Sequence, residues 1–78
     1  MTDVKIQLGC VIKQLRIQRG LTQEHLAEKA SLHRTYLSDI ERGARNPSLE
    51  TLVRLATALQ TSLEEIFKNV ESFTSPKL

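Results

Sequence analysis

QEHLAEKASLHRTYLSDIER, residues 23–42, decides how the rest of this chain is read. The stretch divides into two short amphipathic helices around a tight break at Ser31-Leu32-His33. Leu26, Leu37 and Ile40 fall on the inward faces at helical spacing. Ala27 falls where the two helices would cross, and a larger side chain there would force them apart. Arg34, Thr35, Tyr36, Ser38 and Asp39 are left on the outer face of the second helix.

Working outward, Val4, Leu8, Val11, Ile12 and Leu15 recur at i, i+4, i+7, i+8 and i+11, one face of a preceding helix. Gly9 lies inside it at a cost of about 1 kcal/mol against Ala, which close approach of another helix would justify. Arg19-Gly20 ends that helix. Thr22 is an N-cap for the next one, with Glu24 favourably placed in its first turn, and the helix is expected to run to about Ala30. A third helix spans about 34 to 42 and stops at Gly43. Residues 44–47 form a loop, because Pro47 biases Asn46 away from helix. Ser48 caps a fourth helix whose apolar face is Leu49, Leu52, Leu55, Ala56 and Leu59. Ser62 and Glu65 make a capping box for a fifth, followed by Leu63, Ile66, Phe67 and Val70. Residues 74–78 read as a frayed tail. No alternating strand pattern occurs, so the predicted fold is all-α, a compact five-helix bundle.

Seventy-eight residues are enough for one domain, read here as 1–78. A core this small often gains stability from association. Net charge is only +2, so a nucleic-acid site would depend on where the charge is placed rather than on its total. The single cysteine, Cys10, excludes an internal disulfide and a multi-cysteine zinc site; its place among apolar residues points to a buried, inert thiol. No signal peptide and no apolar run of about 20 residues is visible, so no membrane role is expected and the cytoplasm is the expected location. His25 and Glu28 sit at i, i+3, yet no second histidine pair or further ligand completes a metal site. There is no phosphate-binding glycine-rich loop, and no nucleophile with a neighbouring base. The chain is therefore read as a non-enzyme with no metal and no cofactor.

The outer face of the third helix carries the chemistry. The DNA major groove admits one α-helix and offers base donors and acceptors to it. Arg34, at the end of the helix that would enter the groove, can bond guanine O6 and N7 together. Thr35 can touch a thymine methyl, and Ser38 can reach a base edge. Asp39 can accept from cytosine N4, but its charge opposes nearby phosphates, and orienting Arg42 is an equal alternative. These four are the candidate base contacts. Gln23 opens the second helix, whose positive end suits a phosphate. With Tyr36, Arg45 and Asn46 it forms the candidate set for the DNA backbone, where contacts fix register without reading sequence. Ile66, Phe67, Val70 and Phe73 form an apolar run within about 62–73 that one protomer is not expected to cover; it is the candidate dimer interface.

The stretch at 23–42, with GCVIKQLR before it and SLEEIF after it, resembles the Cro/phage-repressor-like (XRE) helix-turn-helix family over about residues 8 to 67. The resemblance implies a lambda-repressor-like DNA-binding domain acting on double-stranded operator DNA as a homodimer, with RNA polymerase a candidate further partner and no small-molecule ligand. It also implies that Gln23 contacts the DNA backbone and braces the recognition helix. An arginine ending the first helix pairs with a glutamate ending the third in such proteins, so Arg16 and Glu41 are assigned to a structural ion pair. The chain departs from the family in the turn, where Gly is favoured at 31 and Ser or Thr at 33. Ser31 is then expected to take φ > 0, and His33 to cap poorly. Within the family, the run RTYLSDIERGARNPS is most similar to controller proteins of restriction–modification systems. That implies binding upstream of the endonuclease and controller genes, with activation at low occupancy and repression at high occupancy. A phage-like or antitoxin repressor, or a protein-interaction module on the same fold, stays open as an alternative.

Overall fold

Four of the five helices begin where a side chain takes up a free backbone N–H group. In this computed structural model, which describes the backbone of residues 3–74 and the side chains of residues 3–72, five helices follow one another: α1 Val4–Gln18, α2 Gln23–Lys29, α3 Arg34–Glu41, α4 Leu49–Ala58 and α5 Leu63–Thr74. Asp3 Oδ1 accepts from the Lys5 N–H at 3.0 Å. Thr22 Oγ1 accepts from His25 at 3.0 Å, Ser48 Oγ from Thr51 at 3.1 Å and Ser62 Oγ from Glu65 at 3.0 Å. Only α3 lacks this help among those with a described cap, since His33 makes no side-chain capping bond. Such a cap is worth about 1 kcal/mol, so packing must hold α3 in its place. Gly20 and Gly43 follow α1 and α3 with φ of 71° and 76°. The Ser31 expectation is met at φ 58°, and Gln60, which no sequence signal marked, takes φ 57°.

The apolar faces meet in one core. Val11, Ile12, Leu26, Leu37, Ile40, Leu55, Leu59 and Ile66 are the largest fully buried side chains, each contributing roughly 1.5–3 kcal/mol by burial. Helix α1 packs on α5 and α3, α2 on α3 and α4, and α4 on α5. Ala27, on α2, is 3% exposed and belongs to the core. Arg19 Nε donates to the Leu59 carbonyl at 2.8 Å, tying the end of α1 to the end of α4.

Several expectations need correction. Val4 and Leu49, placed on the core faces by periodicity, are 55% and 67% exposed. Each is the first residue of its helix, where the apolar stripe has run past its neighbours. Cys10 is half-buried rather than buried. Ile66 and Val70, assigned to a dimer interface, are 0% and 6% exposed within a single chain. The protomer uses both for its own core, so neither is available to a second copy. Phe67 remains exposed at 41%. The side chain of Phe73 and residues 75–78 of the expected tail lie outside the described residues.

Gly9 explains why α3 sits as it does. A Cβ built there would lie 2.3 Å from the Ile40 carbonyl oxygen and 2.7 Å from that of Glu41. Both are backbone atoms, which cannot rotate away. Gly9→Ala should therefore destabilise the protein by about 1–3 kcal/mol, although Ala is the better helix former by about 1 kcal/mol. Urea unfolding of the variant checks this; unchanged or increased stability would mean that α3 does not abut α1 at this point.

Candidate nucleic-acid interface

Helix α3 is held from behind and left open in front. Leu37 and Ile40 have no exposure. The Glu41 side chain is 2% exposed and takes three bonds: from Arg16 Nε at 2.8 Å to Oε2, from Arg16 Nη2 at 3.1 Å to Oε1, and from Gln23 Nε2 at 2.9 Å to Oε1. Arg16 Nη1 also donates to the Leu21 carbonyl at 2.9 Å. The paired residues that the resemblance implied thus form one knot, joining the end of α1, the start of α2 and the end of α3. Gln23 is half-buried and braces Glu41 directly. The two-pronged guanidinium–carboxylate geometry fixes direction as well as distance.

The front face begins with Arg34 and Thr35, both exposed in the first turn of α3. Arg34 takes part in none of the ion pairs among the described residues. Ser38 and Asp39 follow, both half-buried. Arg42 Nη2 donates to Asp39 Oδ1 along the surface of α3, the contact that one of the two roles weighed for that carboxylate requires. Tyr36 is half-buried against the core, and the Arg45 guanidinium lies over its ring, 5.2 Å from the centroid. Arg45 and Asn46 are exposed on the loop after α3. Thr35, Tyr36, Asp39 and Arg45 share one shallow depression with Leu32 and His33. Arg34 lines a second, on the α2 side, with Glu24, His25 and Glu28. Among the described residues no group of three or more His, Cys, Asp or Glu side chains is placed to hold a metal ion.

Electrostatically, both carboxylates of α3 are engaged: Glu41 inward by Arg16 and Gln23, Asp39 along the surface by Arg42. Arg34 and Arg45 take part in none of the ion pairs among the described residues. Arg34 shares its depression with Glu24 and Glu28, whereas Arg45 stands on the other side with Thr35 and Tyr36, so the charge offered to a partner is set by local placement rather than by the total. The Tyr36–Arg45 cation–π contact is not legible in the sequence, because the two residues belong to different elements and share no periodicity.

Residues 12–66 match the helix-turn-helix family. The chain is 42% identical over 72 residues to the control protein C.MunI from a Mycoplasma species, covering 91% of this chain and 97% of that relative. It is 52% identical over 59 residues to the immunity repressor protein of Bacillus phage phi105, covering 76% of this chain and 41% of the repressor. The fold is similar to that of the restriction-modification controller protein C.Esp1396I, solved as a tetramer in complex with its natural 35 base-pair operator. The TM-score is 0.83 at 35% identity, covering 92% of this chain and 95% of that one. No helix among the described residues is long and apolar enough to cross a membrane.

The knot around Glu41 makes its own demand. Removing one member of a buried pair leaves the other uncompensated, so Arg16→Ala should cost about 3–5 kcal/mol of stability. Replacing Arg16 and Glu41 together by apolar residues should recover part of that loss. Denaturant unfolding of the single and double variants measures both. If Arg16→Ala unfolds at the wild-type midpoint and loses only affinity for DNA, the residue is a DNA contact and the structural assignment is wrong.

Proposed function

The chain belongs to the helix-turn-helix family, and on that premise we propose that it is a sequence-specific transcriptional regulator that binds operator DNA as a homodimer in the cytoplasm. One observation carries the reading: the first turn of α3 stands free with Arg34 and Thr35, while the acidic side chains of that helix are taken up within the chain. In this reading Arg34, Thr35 and Ser38 read bases, and Gln23, Arg45 and Asn46 hold the backbone. Asp39 acts by orienting Arg42. The finer proposal is a restriction–modification controller acting on the endonuclease gene and on its own, recruiting RNA polymerase at low occupancy and blocking it at high occupancy. Near-complete mutual coverage with a control protein supports this. A phage-type repressor is the second reading, favoured by the 52% identity to the phage immunity repressor. A methyltransferase and an endonuclease encoded beside this chain would decide for the controller.

For the homodimer, the corrected surface centres on Phe67, since Ile66 and Val70 are spent on the core. A two-fold arrangement would set the recognition helices about 34 Å apart, one turn of DNA. Sedimentation should show dimers at micromolar concentration, and Phe67→Asp should weaken association and operator binding together. A dimer that survives Phe67→Asp would place the interface elsewhere.

Reading and holding separate in a binding titration on the duplex upstream of the chain's own gene and on a scrambled one. Arg34→Ala should cost about 1–3 kcal/mol on the first and much less on the second. Arg45→Ala should weaken both by similar factors and lower the salt slope by about one unit. Gln23→Ala should weaken both without changing the slope, because it carries no charge. Equal loss on both duplexes for Arg34→Ala would make Arg34 a phosphate contact and pass base reading to its neighbours.

A further inference from the structure

The geometry points to Tyr36 as a positioning residue: in place of the backbone contact expected from the sequence, it holds the Arg45 guanidinium where DNA binds. The inference rests on the proposed DNA-binding function and assigns a role within it.

Tyr36 is suited to serve as a platform. It sits on α3, whose inner residues are fully buried, and its own ring is packed against the core. The ring therefore moves with the helix. Arg45, by contrast, belongs to the exposed loop between Gly43 and Pro47. Left to itself, an arginine there would lose a large side-chain entropy on binding. The 5.2 Å separation between its guanidinium carbon and the Tyr36 centroid is within the range of cation–π attraction. The loop backbone is tied to the same helix, since the Ala44 N–H donates to the Asp39 carbonyl at 2.9 Å.

The type of contact matters as much as its existence. A salt bridge occupies guanidinium N–H groups, as Asp39 does for Arg42. A cation–π contact does not itself consume guanidinium donors. Arg45 is thus restrained by the ring while taking part in none of the ion pairs among the described residues, which keeps its donors for phosphate oxygens or base edges. Both partners line the depression of about 490 Å³ that contains Thr35 on the outer face of α3, so the fixed arginine borders the groove-facing residues. The phenolic hydroxyl is not needed for any of this, and that separates the proposal from a direct Tyr36–phosphate hydrogen bond.

The test is a double-mutant cycle on the duplex upstream of the chain's own gene, at several salt concentrations. Tyr36→Phe keeps the ring and should bind within about twofold of wild type. Tyr36→Leu should weaken binding by about three- to tenfold, the scale of an exposed to partly desolvated cation–π contact. In an Arg45→Ala background the Tyr36→Leu change should have no further effect. The native protein supplies a second readout without any duplex: Arg45 side-chain protons should show upfield ring-current shifts by NMR, retained in Tyr36→Phe. Loss of affinity in Tyr36→Phe equal to that in Tyr36→Leu would overturn the proposal in favour of a hydroxyl contact. Undiminished loss for Tyr36→Leu in the Arg45→Ala background, or Arg45 protons at unshifted positions, would overturn it as well. Failure of the wild-type chain to bind any duplex, with the ring-current shifts intact, would instead overturn the DNA-binding function itself.

Discussion

The Glu41 carboxylate is the point on which the rest of the molecule depends. It is nearly inaccessible to water and sits at the end of the helix that faces outward, bonded by Arg16 from α1 and by Gln23 from α2. A buried ion pair of this kind adds little net stability over a well-packed apolar pair, because desolvation consumes most of the attraction. Its value is directional. Three bonds from two elements leave α3 little freedom of tilt or slide, and Gly9 lets α1 come up against the Ile40 and Glu41 carbonyls where a Cβ would hold it off. The weak His33 cap would otherwise leave this short helix poorly anchored at its other end.

From that constraint the electrostatics follow. Drawing Glu41 inward removes a negative charge from the face offered to DNA, and Asp39 is occupied by Arg42. In front stand Arg34 and Thr35 on the helix and Arg45 beside it, with Glu24 and Glu28 on the α2 side of Arg34, so attraction for a polyanion depends on local placement of charge rather than on the total. The same knot includes Gln23 at the start of α2, where the helix N-terminus favours an anion. One set of bonds therefore orients the helix proposed to read bases and the residue proposed to hold the backbone. Geometric precision is required of both, because a misplaced bidentate contact loses most of its discrimination.

Much of this could be read in the chain, and the failures have physical causes. Helix starts were legible because Thr22, Ser48 and Ser62 cap through local bonds that depend on spacing alone. Core residues in mid-helix were legible from periodicity. Val4 and Leu49 were misplaced because a repeat says which face is apolar, not how far along the helix the neighbours extend. The adjacent pair Ile66-Phe67 shows a second limit: both are apolar, and only the packing of α5 decides that the first is covered and the second exposed. Arg16 and Glu41 came from the family resemblance, since nothing in their separation announces a contact. The outer face of α3 was identifiable as a candidate site, but the loop conformation that brings Arg45 over Tyr36 was not.

The central claim is that α3 is a preformed reading surface, fixed before any DNA arrives. Native-state amide hydrogen exchange tests it most directly, comparing Leu37, Ile40 and Glu41 with Val11 and Ile12 of α1 in the free protein. A helix locked by the Glu41 knot should exchange these amides only through global unfolding, with the same protection as the core of α1. Exchange through local opening, orders of magnitude faster in α3 than in α1, would show a loosely docked helix that takes its place only on binding, and would contradict the account.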